Sequence, residues 1–100
     1  MEGTASVATD VLASYAADAA LEVEGVAGLV EGRLPRQSAV RVVVEDGVTV
    51  ELHLALESDA AAEAVGTEVQ RRVADYLERM AGARPRAVDV VVDTISEPEA

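Results

Sequence analysis

The sequence has no cysteine, no lysine, no phenylalanine and no tryptophan, and only three prolines in 100 residues. Without cysteine there is no disulfide framework, no thiolate nucleophile and no cysteine-ligated zinc. Without Phe or Trp, the interior must be built from Val, Leu and Ala, with Tyr15 and Tyr76 as the only large rings. Thin side chains leave little to fill space, so helices and sheet must approach closely. Bases are scarce as well: eight arginines face nineteen acids, for a net charge of -11. Such a surface is repelled by phosphate backbones, so nucleic acid and anionic lipid are not expected partners. No apolar run approaches the roughly 20 residues that span a bilayer, so direct membrane insertion is not expected. The opening MEGTASVATD has neither a basic nor an apolar region of the signal-peptide kind. A soluble, intracellular protein is the expectation.

What is present is half apolar, enough for one modest core. The length predicts a single domain over residues 1–100, with an ordered core at about 7–95. From Thr9 to about Glu24, the apolar positions Leu12, Tyr15, Ala16, Ala19 and Val23 recur at helical steps. Thr9 is the expected N-cap and Gly25 the stop. Residues 28–37 read as a loop carrying Arg33 and Arg36, since Gly32 and Pro35 break any periodicity.

Two alternating runs follow, Val40, Val42, Val44 and then Val48, Val50, Leu52, Leu54, Leu56, with Asp46-Gly47 between them. Period two with an intervening Asp-Gly signals a hairpin. A two-residue loop would set Val42 opposite Glu51, mixing apolar and polar groups on one face. A three-residue loop, Glu45-Asp46-Gly47, sets Val44 opposite Val48, Val42 opposite Val50 and Val40 opposite Leu52. It also sets Arg41 opposite Glu51 on the other face, a favourable cross-strand pair. The three-residue loop is therefore expected, with Gly47 at positive φ in a bulge. Ser58 or Asp59 is the expected cap of a second helix running to Ala81, with Val65, Val69, Val73, Tyr76, Leu77 and Met80 inward. Glu68–Arg72 and Asp75–Arg79 are its i,i+4 pairs. Gly82 and Pro85 end it, and a last strand covers residues 87–95.

The order α-β-β-α-β predicts an α+β, two-layer sandwich. A three-stranded sheet carries two helices on one face, its last strand parallel to the second by a crossover. The uncovered outer face should show Val43 and Val91 among Arg41, Glu51, His53, Asp89 and Asp93. That apolar-spotted, half-wet surface is the candidate interaction surface, suited to self-association.

Other constellations carry less. Gly25-x-x-Gly28 has the spacing of a KH-type RNA-binding loop, but Glu22, Glu24 and Glu31 flank it and no second helix follows. A helix stop is the simpler reading, and a KH-like RNA-binding module stays as the alternative. His53, the sole histidine, reads as a solvated strand residue. Glu51, His53 and Glu57 share a face, but same-face neighbours on one strand stand roughly 6.5 Å apart, so no metal site is implied. No serine sits in a nucleophile-elbow context, and no carboxylate pair is forced together. Neither catalytic residues nor a cofactor are expected.

With its elements placed, the chain resembles the alkaline shock protein family of small bacterial envelope stress response proteins. The resemblance rests on the helix opening Val11, Leu12, Ala16, leading to Glu22-Val23-Glu24-Gly25-Val26, and on the strand Val48, Val50, Leu52, Leu54. It continues through Val69-Gln70 with Val73, the helix end Met80-Ala81-Gly82, and Val88-Asp89-Val90-Val91-Val92-Asp93. It implies a non-enzymatic, cytoplasmic protein of cell-envelope homeostasis that self-associates and gathers at the membrane through a membrane-anchored protein partner. It supplies no catalytic residues.

Overall fold

The computed structural model describes residues 8–30 and 39–96. Its elements are α1 (Thr9–Leu21), β1 (Val26–Leu29), β2 (Val40–Val44), β3 (Val48–Glu57), α2 (Ala62–Ala81) and β4 (Ala87–Ser96). The fold is α+β, with β1 added to the expected order.

β3 is the axis of the sheet. β4 runs parallel to it along one edge, from the Thr49–Ala87 pair to the Glu57–Ser96 pair. The other edge is shared. β2 pairs antiparallel with the first half of β3, and β1 with the second half. The two short strands therefore lie end to end, and the junction falls at His53. Its N–H donates to the Ala39 carbonyl at 2.9 Å, and its carbonyl accepts from the Val30 N–H at 2.9 Å. The sheet is thus three strands wide, as expected, but one of its three tracks is split.

The hairpin adopts the expected register: Val40 faces Leu52, Arg41 faces Glu51, Val42 faces Val50 and Val44 faces Val48. Gly47 sits at φ +115, and Asp46 joins it at +57. β1 is the element the sequence reading places in a turn and loop. It has four residues, one of them glycine, with a register break between Val26 and Gly28. So short a segment shows no alternation; only the free second half of β3 makes it a strand. Arg33, Arg36 and the final SEPEA residues from 97 on lie outside the described residues.

Neither helix uses the expected cap. Thr9 is already the first residue of α1; Ala8 is the N-cap, extended at ψ 148, with no side-chain bond. Ser58 and Asp59 belong to a separate turn closed by Ala60 N–H to the Glu57 carbonyl at 3.0 Å. α2 therefore starts later, with Ala61 as an uncapped N-cap. α1 ends at Leu21, three residues short of the expected Glu24. The chain then turns through Gly25 at φ +101. Gly82, in the left-handed conformation, stops α2 as expected.

The core lies between the helix layer and one sheet face. Val50, Leu52, Leu54 and Leu56 of β3 are sealed beneath Leu12, Ala16, Ala19 and Ala20 of α1 and Val65, Val69, Val73 and Leu77 of α2. The three alanines on α1 let that helix come close to sheet and neighbour alike. Tyr15 and Tyr76 meet edge-to-face between the helices, ring centroids 5.8 Å apart. Gln70 ties α2 to β4 by donating to the Val88 carbonyl at 2.9 Å. Met80, expected inward, is half exposed on the last turn of α2.

Candidate interaction surface

Both helices pack on the face formed by the even-numbered residues of β3, so the odd-numbered residues project from the other side. Alternation puts Thr49, Glu51, His53 and Ala55 there, and the ladders set the neighbours. Arg41, Glu51 and Asp89 form one row across the three strands, while His53 stands beside Val91. Arg41, Val43, Glu51, His53, Asp89 and Val91 are thereby brought onto one face. Arg41 and Asp89 are exposed at the two ends of their row, with Glu51 between them. Among the described residues, neither makes an ion pair. Val43 is half-buried and Val91 is 37% exposed.

His53 differs from the solvated residue expected from sequence. Its side chain is only 15% exposed and is clasped from both sides. Nδ1 lies 2.8 Å from Asp93 Oδ2, and Nε2 lies 2.7 Å from Glu51 Oε2. Glu51 arrives by strand alternation, two residues before His53. Asp93 arrives by a break in the β3–β4 ladder. Leu54 pairs with Val92 but Ala55 pairs with Thr94, leaving Asp93 as the extra residue. Such a bulge re-aims a side chain, here onto the imidazole. Asp93 is expected on the outer face, but not against His53. Its outward direction is legible in the alternation of Asp89, Val91 and Asp93; its proximity to His53 needs the parallel register.

The chemistry of this clasp is that of a charged imidazole. A neutral ring has one N–H and one lone pair, so it can serve one carboxylate only. With carboxylate oxygens on both nitrogens, both bonds to ionised carboxylates form only when both nitrogens donate, so the clasp favours the imidazolium form of His53. Its pKa is raised above the ordinary histidine value, first by the bond to Glu51 and then by that to Asp93, with burial opposing. The two carboxylates sit on opposite nitrogens and so cannot share one ion with the ring. Among the described residues no group of three or more potential ligands could hold a metal.

The remaining candidates resolve into structure. Gly25 serves the turn after α1 and Gly28 lies in β1. They do not join two helices. The groove between α1 and α2, about 310 Å³, is lined by Arg71, Arg72 and Arg79, but the first two are occupied. Arg71 bonds Glu68 and Asp75, and Arg72 bonds Glu68. The expected Asp75–Arg79 pair is replaced: Arg71 takes Asp75, and Arg79 lies over the Tyr76 ring at 5.7 Å. Arg86 stands beside Gly47 at the hairpin end of the sheet. Among the described residues, no helix is long and apolar enough to cross a membrane.

Comparison with known proteins agrees with this architecture. The model of the alkaline shock protein 23 family, described as having a cell envelope-related function, matches residues 1–97. No curated protein matches the chain. Among solved structures, a substituted C-terminal domain of MamM is similar with a TM-score of 0.64 at 16% identity, covering 93% of this chain and 86% of that one. A second substituted MamM domain gives 0.56 at 15% identity, covering 92% of this chain and 100% of that one. At such identities the likeness speaks for the fold alone.

Proposed function

The chain belongs to the alkaline shock protein 23 family, whose function is cell envelope-related, and on that premise we propose a non-enzymatic interaction protein of the cytoplasm. It self-associates through the outer face of its sheet and docks to a membrane-anchored protein. The observation that carries the first part is the row Arg41, Glu51, Asp89, with opposite charges exposed at its two ends and the apolar Val43 and Val91 beside it. A two-fold axis along β3 lays Arg41 of each copy over Asp89 of the other, a self-complementary arrangement. The second part is supported by the family's envelope connection in a chain whose described helices cannot cross a bilayer.

Sedimentation velocity tests the self-association. Wild type sediments as an oligomer, Val43→Glu with Val91→Glu as a monomer, and Arg41→Glu as a monomer that Asp89→Arg restores in the double variant. Monomeric wild type refutes this part. For the docking, the protein fractionates with membranes of the cells that make it but not with protein-free vesicles of the same lipids; binding to the bare vesicles refutes a protein anchor.

A further inference from the structure

We propose that His53 is a proton-operated switch for this self-association: doubly protonated, it holds Glu51 and Asp93 and permits a second copy to dock on the outer face, and on losing one proton it releases that copy. The proposal rests on the self-association reading above and adds its regulation.

The charged groups facing His53 come from three strands. On β3 itself, Glu51 lies at one side and Glu57 beyond Ala55 at the other; β4 brings Asp93 and, one pair away, Asp89; β2 brings Arg41. β1, which completes the edge, carries no titratable residue. Within the five-residue patch of Arg41, Glu51, His53, Asp89 and Asp93, two cations stand against three carboxylates while His53 is charged, one net negative charge. Loss of a single proton doubles that to two. It also turns one of the two contacts, at 2.7 and 2.8 Å, from a donated hydrogen bond into a lone pair against a carboxylate. That contact must open, and a carboxylate is freed into the face.

A two-fold axis along β3 makes the effect large. It sets β3 over β3, so the two His53 clusters face each other across packed sheets about 10 Å apart. That is close to the Debye length of about 8 Å at physiological salt, so their repulsion is only partly screened. The product of the two patch charges rises fourfold when both protons leave. A docked partner of net negative charge also stabilises each imidazolium, so association takes up protons. By linkage, the association constant then falls by up to about tenfold per protomer for each pH unit within the window of titration.

The test is sedimentation velocity of the full chain from about pH 6 to about pH 9, which starts near the ordinary histidine value of about 6.5. Wild type is expected to lose at least tenfold in association constant over this range. His53→Gln, which keeps a donor and an acceptor but does not titrate, is expected to show a flat profile. A pH-independent wild type, or a His53→Gln variant that weakens as much as wild type, overturns the switch while leaving self-association standing. A wild type that is monomeric at every pH overturns the self-association reading and the switch together. Should His53→Gln fail to fold, Asp93→Asn supplies the second arm. Removing one carboxylate lowers the histidine pKa, so association must be lost at lower pH than in wild type; an unmoved profile overturns the switch.

Discussion

Replacing Gly25 with alanine should be costly, and replacing Gly28, three residues on, should not. Gly25 stands at φ +101, where an L side chain is strained. An added Cβ would lie 2.7 Å from Val65 Cγ2 and 3.3 Å from the Ala60 Cβ, so the start of α2 would have to move. The backbone strain costs about 1–3 kcal/mol. Overpacking against a buried valine adds about 1–3 kcal/mol. Lower entropy of the unfolded chain returns about 0.4–1 kcal/mol. The net loss for Gly25→Ala is then about 3 kcal/mol, with a range of about 1–6 set by those three sources. At Gly28 nothing lies within 4 Å of the new Cβ and φ is not positive. Gly28→Ala should therefore be neutral or stabilising by up to about 1 kcal/mol, from the same entropy effect. Urea unfolding followed by far-ultraviolet circular dichroism measures both. A further variant separates the two causes: in a Val65→Ala background the steric part is relieved, and Gly25→Ala should cost less by about 1–3 kcal/mol. Equal stability of Gly25→Ala and Gly28→Ala would refute the reasoning, since it would mean that neither the left-handed turn nor its contact with α2 constrains the fold.

Two more outcomes follow from the core and from the clasp. Leu54, fully buried at the centre of β3, should cost about 2–5 kcal/mol on truncation to alanine, read as a shift in the urea midpoint with the slope unchanged. His53 has its folded-state pKa raised, so its contribution to stability is complete below the ordinary histidine value and is lost as pH rises through the raised value. The stability of wild type relative to His53→Gln should therefore decline with rising pH across that window, and a constant difference in thermal midpoint would contradict the charged clasp.

Much of the fold is legible in the residues because it depends on local periodicity. Val40, Val42 and Val44 opposite Leu52, Val50 and Val48 follow from one requirement, that apolar and polar groups not share a face, and that requirement selects the three-residue loop. α2 shows its apolar stripe and its glycine stop in the same way. The uncapped helix starts at Ala8 and Ala61 are different. A cap residue is a preference worth about 1 kcal/mol, and burial of the stripe against the sheet outweighs it. β1 is invisible for the same kind of reason: four residues with a glycine carry no pattern, and their partners on β3 are 25 to 30 residues away.

Of the candidate surface, the sequence by itself determined which side chains leave the sheet on the outer side, because a strand has a period of two and the core claims every second residue. It could not determine which of them touch. The clasp on His53 needs β4 parallel to β3, the pairing of Val91 with His53, and one surplus residue at Asp93. Each is a property of strands brought together from distant parts of the chain. Alternation assigns a direction to a side chain, whereas the distance between two carboxylates and one imidazole is set by register, and register exists only once the sheet has formed.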